Sequence, residues 1–428
     1  MSAPFLYRAW VLASRCLIPF AASAEARKLN AQDVPAARAG EKRGIATQPR
    51  PSGGPLVWVH AASVGESLSV LALITRMGHM LPDAHFLITS GTATSARLVD
   101  QRLPPRSLHQ FAPLDAPGPL KRFLAHWQPD AAIFVESEIW PQMLRRTHAT
   151  GAPMALVNAR MSDKTVEFWE KWPRTARYLF DVFTLIVTQN DAMARNMIRM
   201  HAPADRVSPG VNLKSMAGPL PVDAQALAAA RTALGGRAVW VASSTHEGEE
   251  RGVLGAHKKL LRQIPDLCLI LAPRHPERGD AVEALVQDEG LTVQRRGRGD
   301  APGGQVYLAD TLGELGLWYS LSDVVFLGGS LLPIGGHNPF EVAQSGAAVL
   351  SGNHVAAFAE TYAQLEAEGA ARIVADGDDL ATRVAALLTK PDELATMTAA
   401  AARFIAAQDD QLGAIASRLI TTLKLDTP

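Results

Sequence analysis

Short, unbroken apolar runs alternate with longer amphipathic stretches along most of the chain. In the first half the runs fall at residues 56–60, 84–89, 131–135, 154–157 and 184–188. Helical periodicity lies between them, as at 65–80, 116–127 and 190–201. A strand that is apolar on both sides must be covered on both faces, which points to parallel strands wrapped by helices. The second half repeats the pattern, with runs at 238–242, 267–272, 292–295, 306–308, 324–327 and 347–350 and a helical tail from about Asp392 to Leu423. The predicted fold class is α/β: two doubly wound, Rossmann-like domains facing a central cleft. In such sheets ligands bind beyond the carboxyl ends of the strands.

The rest of the chain frames these two domains. Residues 4–24 are mostly apolar but carry Arg8 and Arg15 and are broken by Pro19. That is too short and too charged for a simple membrane span. Arg8 and Arg15 are seven apart and share a helix face, and Tyr7 and Trp10 suit the headgroup level, so an interfacial helix is predicted over 1–24. A cleaved leader is the rival, because Ala22-Ser23-Ala24 has small residues at the right place; Arg15 in its apolar region argues against it. Residues 25–54 are polar and read as a connector. Residues 55–210 then form the first domain, 211–224 a linker and 225–428 the second domain.

Composition narrows the function classes. The chain has 428 residues, 47% of them hydrophobic and 20% charged, as expected of folded domains. Lys+Arg and Asp+Glu are equal at 42 each, so no basic field attracts nucleic acid. Cys16 and Cys268 are far apart and offer no disulfide framework. The histidines show no metal-binding spacing, and no metal is expected.

Candidate chemistry sits just after the apolar runs. Strand 56–60 leads through His60-Ala61-Ala62-Ser63-Val64-Gly65-Glu66-Ser67 into a helix, with Ser63 and Glu66 spaced as a capping box. Capping alone accounts for that spacing. The similar turn Ser243-Ser244-Thr245-His246-Glu247-Gly248-Glu249-Glu250 in the second half turns attention to function. Glu136-Ser137-Glu138-Ile139-Trp140-Pro141 puts carboxylates at another strand end. Gly328-Gly329-Ser330 through Gly335-Gly336-His337-Asn338-Pro339-Phe340-Glu341 is the strongest local feature. Its glycines admit a ligand to the backbone, with Asn338 as a cap and Pro339 as the first helical residue, so a phosphate is expected there. Arg274, after Pro273, suits a phosphate oxygen. Leu312-Gly313-Glu314 opens a further helix, and Lys214 in the linker can reach a leaving phosphate.

Taken together, residues 60–67, 136–141, 212–214, 273–278, 312–314 and 328–341 resemble the 3-deoxy-D-manno-octulosonic acid (Kdo) transferases, in family order across about 55–345. The resemblance implies a GT-B glycosyltransferase fold, a CMP-Kdo donor, a lipid A precursor as acceptor and no cofactor. It implies inverting, metal-independent transfer for lipopolysaccharide core synthesis, at the cytoplasmic side of the inner membrane. Glu66 looks like the general base, and Glu136 and Lys214 like transition-state stabilisers. Pro273, Arg274, Leu312, Gly313, Glu314, Asn338, Pro339, Phe340 and Glu341 look like the CMP site. A GT-B enzyme using a UDP-sugar, or a silent nucleotide-binding protein, are the alternatives.

Overall fold

The computed structural model describes residues 2–32, 34–210, 212–213 and 220–426. It divides into two compact units, Met1–Ala217 with Asp409–Pro428, and Gly218–Gln408. Each is built on one seven-stranded sheet in which every pairing is parallel.

The first sheet contains β1 (Leu56–His60), β2 (His85–Ser90), β3 (Ser107–Phe111), β4 (Ala131–Val135), β5 (Met154–Ala159), β6 (Leu185–Thr188) and β7 (Val207–Pro209), in the order β3-β2-β1-β4-β5-β6-β7. Winding proceeds one way from β1 to β3, then jumps back to β4 and proceeds the other way. The crevice between β1 and β4 is therefore the topological switch point. Alternate side chains of one strand serve two cores. Val57, Val59, Ile133 and Val135 pack on one face, Trp58, Phe134 and Leu156 on the other. Burying each such side chain contributes roughly 1.5–3 kcal/mol.

The second sheet contains β8 (Val239–Thr245), β9 (Cys268–Pro273), β10 (Val293–Arg295), β11 (Val306–Leu308), β12 (Val324–Leu327), β13 (Ala348–Ser351) and β14 (Ala371–Ile373). Its order is β10-β11-β9-β8-β12-β13-β14, so its switch point lies between β8 and β12. Its two cores again use alternate residues: Val241, Ile270 and Val325 on one face, Trp240, Leu269 and Phe326 on the other.

Three departures from the sequence expectations have physical causes. Strands β3, β7 and β14 were not expected, and all three are edge strands. β3 mixes Ser107, His109 and Gln110 into its run, and β7 and β14 have three residues each, so neither length nor apolar pattern marks them. Residues 25–54 are not a bare connector. The first helix continues to Asn30, a turn of helix follows at Ala36–Ala39, and a 3₁₀ turn at Gly40–Arg43 buries Glu41, whose carboxylate accepts from the Phe111 N–H at 2.7 Å. The tail also differs. Helix Pro391–Thr422 begins in the second unit, with Ala400, Ala401 and Phe404 in its core, and ends in the first, where Leu412, Ala416, Leu419 and Leu423 are buried.

The N-terminal helix Phe5–Asn30 is bent by 55° between Phe5–Ile18 and Phe20–Asn30. Its inner side is tied down: Trp10 Nε1 donates to Asp115 Oδ2 at 2.6 Å, and Gln142 Nε2 donates to Ser14 Oγ at 2.6 Å. Phe5, Leu12, Leu17 and Phe20 are exposed, as are Arg8 and Arg15. Among the described residues no single helix is long and apolar enough to cross a membrane.

Replacing Leu419 by Ala removes a fully buried side chain from the first unit's core. It is expected to cost about 2–5 kcal/mol, read as a lower denaturation midpoint. A shift under about 1 kcal/mol would show that the tail is dispensable to that core.

Candidate active site

In the first unit the loops after β1 and β4 carry three carboxylates. Ser63 caps helix Val64–Met80, and the capping box forms as expected: Ser63 Oγ accepts from the Glu66 N–H at 3.3 Å, and Glu66 reaches back to the preceding backbone. Glu66 Oε2 accepts from the N–H of Ala62 at 2.9 Å and of Ser63 at 3.5 Å, while Ser63 Oγ donates to Oε1 at 2.8 Å. A carboxylate offers about four lone-pair sites, so among the described residues one direction on Oε1 stays open. Burial raises the pKa of Glu66, and the neighbouring charges of Glu138 and Glu136 push the same way.

Glu136 directly follows β4, in the left-handed region at φ +56°. Its Oε1 accepts from Asn158 Nδ2 at 3.2 Å, and Asn158, itself at φ +54°, accepts from the Leu213 N–H at 3.0 Å. Such conformations cost on the order of 1–3 kcal/mol for non-glycine residues and concentrate at functional sites. Glu138 differs. Burial raises its pKa, but the hydrogen bond and charge of His60 and the Trp140 indole outweigh this and hold it below the usual carboxylate range. His60 Nε2 lies 3.1 Å from Glu138 Oε2, and its Nδ1 lies 2.9 Å from Thr89 Oγ1, which accepts from Trp58 Nε1 at 2.9 Å. Sequence reasoning singled out Glu66 and Glu136 but gave no role to His60 or Glu138. Their signal was position: each sits at or just beyond the carboxyl end of a switch-point strand. Lys214 lies outside the described residues.

In the second unit the organising residue is Glu249, also missed. It is 1% exposed and heads helix Glu249–Leu261. Its carboxylate accepts four backbone N–H groups: His246 at 2.9 Å, Gly329 at 2.7 Å, and Ser330 and Leu331 at 2.8 Å each. The turn after β8 is thereby locked to the glycine loop after β12. Gly329 has φ +67°, and a Cβ there would stand 2.8 Å from His337 Cδ2, so glycine is required. His337 Nε2 lies 2.9 Å from His246 Nε2, and the Tyr362 hydroxyl donates to the His337 carbonyl at 3.2 Å.

The remaining donor-site candidates fall around this frame. Pro273 closes β9, and Arg274 follows it, exposed; within the described residues its guanidinium makes no hydrogen bond or ion pair. Leu312 is 77% exposed beside Gly313 at φ +82°. Glu314 is engaged by Arg296 at 2.7 and 3.1 Å and by the Thr311 hydroxyl, and chiefly the Arg296 hydrogen bond lowers its pKa. The helix after the glycine loop starts one residue later than expected. It spans only Phe340–Gln344, with Pro339 before it and the Asn338 side chain accepting from the Phe340 N–H at 3.1 Å. Glu341 lies in its single turn, too short to offer an anion much of a helix dipole, and the Gly329, Ser330 and Leu331 N–H groups are already given to Glu249.

Two parallel seven-stranded sheets, each with its switch point between the first strand and the strand where winding reverses, are the architecture of the GT-B fold. A solved glycosyltransferase from Rickettsia africae shares the fold, with a TM-score of 0.56 and 11% identity over 87% of this chain and all of that one. Residues 37–217 match the family model for 3-deoxy-D-manno-octulosonic-acid transferase. A probable mitochondrial 3-deoxy-D-manno-octulosonic acid transferase of Arabidopsis thaliana is 32% identical, covering 83% of this chain and 82% of its own. The Haemophilus influenzae transferase is 31% identical, covering 82% of each. The chain belongs to the 3-deoxy-D-manno-octulosonic acid transferase family, glycosyltransferases of lipopolysaccharide synthesis.

Substituting Glu249 by Gln sets an amide NH₂ against backbone donors. The expected cost is about 1–3 kcal/mol, with faster hydrogen exchange at Gly329–Leu331. Unchanged exchange there would show that the loop is held by other contacts.

Proposed function

We propose that this protein moves Kdo from CMP-Kdo to a sugar hydroxyl of a lipid A precursor in one displacement that inverts the anomeric carbon. The observation that carries the reading is Glu66: a desolvated carboxylate at the switch point, oriented by its own capping box, with one lone pair unfilled among the described residues.

Each bond change has a residue to serve it. Glu66 takes the proton as the acceptor oxygen bonds to the anomeric carbon. The bond from that carbon to the phosphate oxygen breaks, and its electron pair leaves with CMP. Positive charge grows on the sugar ring in this process, and Glu136 offsets it. Arg274 and Lys214 meet the charge on the leaving phosphate in place of a metal ion. The backbone around Leu312, Gly313 and Glu314 and the run Asn338–Glu341, with Pro273, hold the cytidine and ribose. Base catalysis of this kind contributes typically ~10²–10⁴-fold.

The outward face of the N-terminal helix supports docking at the cytoplasmic side of the inner membrane. Phe5, Leu12 and Phe20 lie exposed there together with Arg8 and Arg15, an apolar and basic combination suited to anionic headgroups.

The deciding assay follows CMP release and lipid mass with a tetraacylated lipid A precursor. Acceptor-dependent release with whole Kdo masses gained is expected; release from a UDP-sugar instead would favour a different GT-B activity. Glu66→Gln is expected to bind CMP normally and to lose at least about 10²-fold in turnover. Because Glu66 acts as the ionised base and its pKa is raised, wild-type kcat/KM should climb with pH through a window above the usual carboxylate range. Turnover unchanged in the variant would remove Glu66 from the mechanism. Arg274→Ala should raise the CMP dissociation constant about tenfold or more, as a lost charge-assisted contact does; an unaltered constant would take Arg274 out of the donor site.

A further inference from the structure

The hydrogen-bonded pair His246 and His337 plays no part in the mechanism above. We propose that it is a proton-coupled anion receptor of the donor site: uncharged in the empty enzyme, it takes up one proton when an anionic oxygen of the nucleotide-sugar binds. This rests on the donor-site reading just given.

The geometry is that of a single shared proton. The two Nε2 atoms are 2.9 Å apart, and the ring planes differ by only 10°. The ring centroids are 5.2 Å apart, more than the nitrogens by about two ring radii, so the rings meet end to end and not face to face. One Nε2 must donate and the other accept, which two neutral rings can satisfy, the accepting ring carrying its own proton on Nδ1. The donating ring then keeps a lone pair on Nδ1. Within the described residues neither Nδ1 has a hydrogen-bond partner. A proton added at that Nδ1 leaves the Nε2 bond in place and makes it charge-assisted, hence stronger. Protonation therefore costs the pair no existing contact.

The surroundings hold the pair neutral until an anion arrives. His337 is pushed down to about 4 by burial first, then by His246, Arg274 and His275, with only Glu249 opposing. His246 is lowered by burial, with His275 and Arg274 adding to the effect and Glu249 and Glu250 opposing it. Neither carboxylate is free to answer a new positive charge. Glu249 already accepts four N–H groups, and fully buried Glu250 is paired with Arg278. His275 lies 3.4 Å from Glu277. An incoming phosphate or carboxylate supplies the missing counter-charge. The pair is also rigidly placed, with His337 against the Gly329 backbone and its carbonyl held by Tyr362.

The test is calorimetry of CMP and of CMP-Kdo binding to the full chain, in buffers of differing ionisation enthalpy near neutral pH. The expected result is uptake of up to about one proton per ligand, with affinity tightening by up to about tenfold per unit fall in pH between the free and bound pKa values. Uptake with CMP alone assigns the phosphate as the recognised group; uptake with CMP-Kdo only assigns the sugar carboxylate. His337→Gln and His246→Gln, each checked for folding by circular dichroism, should bind more weakly and without uptake. Binding heats of both ligands that are independent of the buffer would overturn the proposal, as would uptake retained in both variants. Failure of the folded protein to bind CMP at all is a different result: it would overturn the donor-site reading itself, and this inference with it.

Discussion

A parallel sheet covered on both faces has nowhere to put a charge except at the ends of its strands, and that constraint arranges everything else in this molecule. Along β1, β4, β8 and β12 every residue is buried, and all but a few are apolar. Where β1 and β4 part company with their loops, and where β8 and β12 do, polar side chains gather at once. The chain even adopts left-handed backbone at Glu136, Asn158 and Ser244, two of them inside the last residues of a strand, to turn side chains at these ends. Such strain persists only where surrounding bonds over-determine it, as the Asn158 contacts to Glu136 and Leu213 do.

Two buried glutamates occupy the same place in the two units, the first helical turn after the first strand, yet they have opposite characters. Glu249 spends its oxygens on four backbone donors, and what it gains is a fixed loop. Glu66 accepts only from its own neighbours Ala62 and Ser63 among the described residues, and burial, then the like charges of Glu138 and Glu136, make its proton affinity higher. A saturated carboxylate holds structure in place; an unsaturated one with a raised pKa is suited to take up a proton. The difference is one of bonding partners, and no spacing rule distinguishes them.

This explains what could be read from the chain beforehand and what could not. Central strands are mostly apolar, and several were legible almost to the residue, as for β1, β4, β11 and β12. The edge strands β3, β7 and β14 were not, because a strand with one neighbour need not be apolar on both sides. Glu66 and Glu136 stood out because each follows an apolar run. His60, Glu138 and Glu249 did not, because their importance lies in contacts between segments far apart in sequence: His60 with Glu138, and Glu249 with Gly329–Leu331. The expected domain boundary at 225–428 missed the return of the tail for the same reason, since helix periodicity says nothing about which core a helix joins.

That returning tail has a consequence for how the chain is made. Leu412, Ala416, Leu419 and Leu423 complete a hydrophobic core whose other members were synthesised as much as some 350 residues earlier, at Val57 and Val59. A ribosome delivers the strands of the amino-terminal unit first, but that unit's core is not complete until residues 412–425 have followed the whole of the second unit out of the exit tunnel. Gly218–Gln408 has all its strands and both its cores in one continuous stretch and needs no such wait. The order of folding therefore runs against the order of synthesis: the later unit can finish first, and the earlier one remains open for the whole time its neighbour is being built.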